Sequence, residues 1–230
     1  MKLTANRSSN RNTLTQTMRG RRKLMLLSAA TTAAAGMLVS IRGAMAANGA
    51  DTWVGNTSSS SWSASNWSGT NNPPISGDSL VFGAAGSSGT SLIDNLMTPG
   101  TFNIAGITFN LGASAFAINP ATAGTNGFTL TGNFTNSSTS LQAINDAVTT
   151  TAVRTVTMTS GGGNVTLGGN ISGAAGGITT AGAGTLTLSG MDTYTGNTTV
   201  ANETTLTFGT SGVLGSNSAD LTNVSLPLPC

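Results

Sequence analysis

The sequence predicts an all-β chain built as a solenoid of stacked short strands. Two observations carry this. Apolar residues alternate with Thr and Ser over runs of about four positions, the period of a half-buried strand. Gly, Asn, Asp and Pro punctuate these runs at short intervals, and strands so short bury enough surface only by stacking on others of their kind. The alternating sets are Val81/Phe82, Phe102/Ile104, Ile107/Phe109/Leu111, Phe128/Leu130, Val153/Val156/Met158 and Val165/Leu167.

Charge divides the chain into two parts. Eight of the nine basic residues precede position 47, and only Arg154 follows it. Beyond that point one positive charge faces seven negative ones, a net of −6. The basic pI is therefore a property of the leader, and too few cations remain to neutralise nucleic-acid phosphates. Residues 19–46 have the three parts of an export signal: a basic cluster from Arg19 to Lys23, an apolar run from Leu24 to Ile41, and small residues Ala44 and Ala46 before a cleavage site at Ala47. Arg21 and Arg22 also fit a twin-arginine signal, with general secretion as the alternative route. A membrane anchor is the competing reading of the apolar run, which Ser28, Thr31, Thr32, Gly36 and Ser40 dilute.

Residues 47–100 hold all three tryptophans, Trp53, Trp62 and Trp67, followed by the turn Pro73-Pro74 and the strand Leu80–Phe82. A solenoid exposes an apolar end at its first coil, and bulky aromatics can cover it. The other reading of these rings is an exposed platform for sugars. Residues 101–135 supply strands near Phe102–Ile104, Ile107–Leu111 and Phe128–Thr131, with a loop at Asn119 to Asn126. Residues 136–150 show the least pattern and read as a loop closing over the coils. Strands then follow at Arg154–Thr159 and Asn164–Leu167. Gly-Asn recurs at 132–133, 163–164, 169–170 and 196–197, as expected for turns stacked at one corner of a solenoid.

Residues 177–208 hold three short strands, Thr185–Leu188, Thr198–Val200 and Thr205–Phe208. Period two directs Leu186, Leu188, Val200, Leu206 and Phe208 inward and Thr185, Thr187, Thr205 and Thr207 outward. The segment resembles the autotransporter-associated β-strand repeat of exported bacterial passenger proteins. Gly177, Thr179, Gly182, Gly184–Gly190, Thr193–Gly196 and Thr198–Val200 match that pattern in register. Departures are Thr180 where Lys is usual, Asp192 for Asn, and Asn202-Glu203-Thr204 where a turn glycine normally sits. The match spans about 32 of the 230 residues. The Trp-rich segment with its Pro-Pro turn is also similar to the start of many proteins carrying this repeat. The resemblance implies a right-handed parallel β-helix over 101–224. It also implies a structural passenger or stalk role in adhesion or cell-surface architecture, at the cell surface, in the outer membrane or outside the cell. The partners implied are further β-helix repeats of a longer chain, surface or polysaccharide ligands, and other copies through the carboxy-terminal edge. The irregular tail 225–230, with Pro227, Pro229 and the single cysteine Cys230, interrupts the pattern as an amino-terminal piece of such a protein would.

Catalytic and metal chemistry finds little support. The chain has no histidine, which removes His-based triads and most zinc sites. Gly161–Asn164 lacks the lysine of a phosphate loop, and no cofactor is expected. A polysaccharide-active β-helix enzyme remains the rival, since that fold hosts lyases and hydrolases. It would need convergent carboxylates. Asp78/Asp94 and Asp192/Glu203, the nearest pairs in sequence, read as solvated turn residues. A carbohydrate-binding module using the tryptophans is the third reading.

Overall fold

The computed structural model describes residues 47–159, 161, 163–215 and 221–223, the last three by backbone alone. They form a parallel β-solenoid of about five turns. The chain opens with β1 (Ala50–Trp53) and β2 (Trp67–Gly69). The first coil is β3 (Ser79–Phe82), β4 (Ser91–Asp94) and β5 (Asn103–Ile104). The second is β6 (Gly106–Phe109), β7 (Ala117–Pro120) and β8 (Gly127–Leu130). The third is β9 (Phe134–Asn136), β10 (Gln142–Ile144) and β11 (Ala147–Thr150). The fourth is β12 (Val153–Met158), β13 (Val165–Leu167) and β14 (Ile171–Ser172). Strands β15 (Gly177–Gly182), β16 (Thr185–Leu188), β17 (Thr198–Val200), β18 (Thr205–Phe208) and β19 (Leu221–Asn223) continue the stack. A 3₁₀ turn at Gly86–Ser88 interrupts the first coil.

Corresponding strands of successive coils lie side by side in three parallel sheets. The first sheet runs β1-β3-β6-β9-β12-β15-β17-β19, with β2 added antiparallel on β1. The second runs β4-β7-β10-β13-β16-β18, and the third β5-β8-β11-β14. Coils shorten along the axis. Thr131 reaches back 27 positions to the Ile104 carbonyl, whereas Thr187 meets Thr207 across 20.

The parallel register places like residues on like. In the second sheet Leu92, Ile118, Ile144, Leu167 and Leu188 form one inward column. In the first, Leu80, Ile107, Phe134 and Val156 form another. All nine are at most 6% exposed. Strand neighbours about 4.8 Å apart set the rung spacing of these columns. An apolar void of about 20 Å³ lies near Ile107, Phe134 and Val156.

Four expectations change, the last of them at the corners. Residues 136–150 are no loop: they supply β10 and β11. Their alternation is disguised because Gln142 and Asp146 occupy inward positions beside Ile144 and Val148, and all four are buried. Leu111 does not continue the column of Ile107 and Phe109. The strand ends at Phe109, and Leu111 lies in the turn closed by Ala113 N–H to the Asn110 carbonyl, 83% exposed. Val153 stands three positions before Val156, an odd spacing that turns it outward, and Arg154 takes the inward register instead.

The Gly-Asn pairs serve every corner and not one. They precede β9 and β17 in the first sheet, β13 in the second and β14 in the third. Each glycine lies on a backbone carbonyl of the coil before. A Cβ on Gly132 would come within 1.7 Å of the Ala105 oxygen, and those on Gly163, Gly169 and Gly196 within 1.9, 2.0 and 2.3 Å of others. The asparagines bind forward. Asn133, Asn164 and Asn170 accept from the amides of Thr155, Thr185 and Met191 in the following coil. One dipeptide thus fixes coil contact below and above.

Gly132→Ala should destabilise the chain by about 1–3 kcal/mol through this overlap. Gly83→Ala, where an added Cβ meets nothing within 4 Å, should stay within about 0.5 kcal/mol of the parent. Urea titrations of both variants decide; equal losses would remove the corner carbonyl as the cause.

Candidate functional site

The tryptophan cluster closes the first end of the solenoid. Trp53 on β1 meets Trp67 on β2 edge-on at 5.1 Å, and Trp62 meets Trp67 at 5.6 Å. Trp67 also contacts Phe82 at 5.7 Å, and Phe82 stacks on Phe109 at 4.8 Å, so the aromatic column continues into the coils. Trp67 Nε1 donates to the Trp62 carbonyl and Trp53 Nε1 to that of Ala85. The strand edges beneath are occupied as well. Trp62 N–H donates to the Ile93 carbonyl, and Ile93 N–H to that of Ser60. All three indoles are at most 2% exposed, so no ring face is open for a sugar to stack on.

In the segment 177–208 each singled-out residue has a place in the stack. Leu186 and Leu188 are fully buried, and Val200 is 9% exposed. Gly182 has φ +90°, and its Cβ would fall 1.7 Å from the Met158 carbonyl. Gly184 packs against the Met158 side chain, and Gly190 and Gly196 lie on the carbonyls of Gly169 and Gly176. Tyr194 is buried, with its hydroxyl 2.6 Å from Thr198 Oγ1. Outward threonines pair along the axis, Thr187 Oγ1 lying 2.9 Å from Thr207 Oγ1. The departures from the repeat pattern are informative. Glu203 takes φ +64°, the left-handed backbone a glycine adopts freely. Thr180 turns inward, where its hydroxyl accepts from Ala201 N–H and meets Thr204 Oγ1. Leu206 is only partly buried and Phe208 is 47% exposed, although β18 pairs with β16 in the expected register. Inward orientation does not give burial there, because the last described rung of the second sheet has a neighbour on one side only.

The aspartates overturn the solvated-turn reading, which holds for Glu203, exposed in the turn before β18. Asp51, Asp78, Asp94 and Asp146 have no exposed surface, and Asp192 has 4%. Each lies two positions from a core residue: Trp53, Leu80, Leu92, Ile144 or Tyr194. That parity was the available sequence signal. Asp78 is well provided, accepting from Gly49 N–H, Ile75 N–H and Asn71 Nδ2. Asp51 accepts from Asn71 N–H, while burial and the nearby Asp78 push its pKa to about 6. Asp94 accepts from the amides of Leu96 and Met97, yet burial still lifts it to about 6. Asp192 accepts from Ile171 N–H, and burial lifts it to about 7. Asp146 is the extreme. Neither oxygen has a protein partner, and burial together with the Asp94 charge pushes it to about 8.

These groups share the solenoid interior, but they do not converge on a cleft. Among the described residues no three His, Cys, Asp or Glu side chains cluster as metal ligands. Asp78 and Asp94 belong to different corners of the first coil, and exposed Glu203 lies apart from buried Asp192. The signal residues Arg21, Arg22, Ala44 and Ala46 and the tail 225–230 lie outside the described residues. No protein-family model, curated protein or solved structure matches the chain.

Two tests follow from this geometry. Leu188→Asp should cost about 3–5 kcal/mol by burying an unpaired charge, and Phe208→Asp about 1 kcal/mol or less. Similar losses in urea unfolding would mean that the last rung is as enclosed as the one before.

The second test concerns pH. The four raised pKa values exceed the unfolded value of 3.8. Between those limits these four groups hold more protons in the folded chain than in the unfolded one, so the stability they contribute is fullest below about pH 4 and is lost as pH rises to about 8. Asp146→Asn should flatten the upper part of that fall and make the chain more stable at pH 8, by at least about 1 kcal/mol. A parent with equal stability at pH 5 and pH 8 would show that these carboxylates ionise without cost.

Proposed function

We propose that the chain is a structural passenger or stalk segment of an exported surface protein, serving adhesion or cell-surface architecture. The observation that carries this reading is the fit between the repeat pattern of residues 177–208 and the solenoid. Its glycines lie on carbonyls of the preceding coil, its leucines fill inward columns, and Glu203 keeps the backbone of the turn glycine it replaces. The pattern is therefore the requirement for adding one coil to another. Such a segment gains length by adding coils, each contacting its neighbours.

The placement of polar groups favours a scaffold over the rival readings. Its buried carboxylates point into the interior, away from any face that a polysaccharide could reach. The indoles close an end and do not form an exposed platform. The leader supplies the export half of the proposal, by the general or the twin-arginine route.

Expression of the full chain in a bacterial host, followed by fractionation and mass spectrometry, tests it. The mature protein should begin at Ala47 or a near neighbour and should be found outside the cytoplasm. Changing Arg21 and Arg22 to Lys should stop export if the route is twin-arginine and leave it intact if it is general secretion. A full-length product retained in the cytoplasm would overturn the passenger reading.

A further inference from the structure

A cleft on the outside of the solenoid is formed by unequal corners. Between β7 and β8 the second coil makes a loop through residues 121–126. The third coil crosses the same corner with Asn145 and Asp146 alone, and the fourth with Gly168–Asn170. The longer loop overhangs the shorter corners and encloses about 240 Å³ between Pro120, Ala123 and Gly124 on one side and Asn145, Gly169 and Asn170 on the other. The loop is held firmly. Ala121 N–H donates to the Asp94 carbonyl, Thr122 N–H to Asn126 Oδ1, and Asn126 Nδ2 to the Met97 carbonyl. Gly169 keeps the floor flat, since a side chain there would strike the Asp146 carbonyl.

The lining has a definite chemistry. No ionisable side chain contributes to it, because Asp146, between two residues of the wall, is itself fully buried. Asn170 spends its oxygen on Met191 N–H, leaving Nδ2 as a donor. Asn145 spends its nitrogen on Asn119 Oδ1, and its oxygen, which lies over Gly168, makes no hydrogen bond among the described residues. Pro120, Ala123 and Ala147 add small apolar surfaces. We infer that this cleft binds one neutral pyranose unit of a glycan. A pyranose offers vicinal hydroxyls that donate and accept at once, beside a face of C–H groups. Anions and cations would find no countercharge, and a drug-sized apolar ligand would need a pocket of roughly 300 Å³ or more. With no aromatic ring to stack on, affinity should be weak, with a Kd on the order of 1 mM.

Amide NMR titration of the full chain with glucose, galactose, N-acetylglucosamine and glucuronate tests this site. At least one neutral sugar should shift the amides of Gly124, Asn145, Gly169 and Asn170, with glucuronate binding at least ten-fold more weakly. Ala123→Leu fills the cleft from an exposed loop position, so it should abolish the shifts while leaving the thermal midpoint unchanged. Asn170→Ala should weaken binding about ten-fold. The inference is overturned if no neutral sugar shifts these amides, if glucuronate binds as well as the neutral sugars, or if Ala123→Leu folds normally and binds undiminished. It does not depend on the export proposal, since binding is read on the purified chain.

Discussion

The parallel backbone ladder between successive coils is the constraint on which the rest of this structure depends. Every coil must return to within one rung of the coil before, at each of three corners. Strand pairing enforces this along the faces, but a corner has no continuous ladder and must close by direct backbone contact. Glycine permits that contact, and an asparagine beside it satisfies an amide of the coil that follows. A chain so rich in Gly, Asn and Thr is consequently ordered for a specific reason. Its small residues are the ones compatible with corners where carbonyls of one coil meet Cα atoms of the next.

Once the ladder fixes register, side chains inherit neighbours of their own kind. Leu lies on Ile and Ile on Leu through the second sheet, and Phe on Phe at the start of the first. Thin columns of this sort bury little surface per coil, so the ends matter more than in a compact domain. The first end is closed twice over, by an antiparallel strand on the sheet edge and by three indoles over the aromatic column. Phe208 shows the opposite condition: correctly registered, yet half in solvent.

The same register explains how carboxylates came to lie inside. A period-two strand admits any residue of the right parity, and an aspartate two positions from a leucine is carried inward with it. The solenoid meets this in different ways along its axis. Asp78 is surrounded by three donors, Asp94 and Asp192 take backbone amides on one oxygen each, and Asp146 has none. A proton is the simplest compensation available to a carboxyl without donors, because a neutral acid costs far less to bury than an anion. The fold therefore couples its stability to pH without using a histidine.

The sequence by itself determined the strand class, the punctuation and the inward identity of residues such as Leu186 and Leu188, because alternation and turn chemistry are local properties. It also identified the aromatic segment that covers the first end. It could not separate Leu111 from the column of Ile107 and Phe109, since a turn can continue an alternating pattern for one more step by composition alone. Nor did it reveal β10 and β11, where Gln142 and Asp146 hold positions usually given to aliphatics. Whether a polar residue of inward parity is buried depends on which coil lies above and below it. The loop at 119–126 was legible, but the outer cleft it overhangs was not. It exists because one corner is longer than the two that follow, a comparison between segments more than 20 residues apart that only stacking brings together.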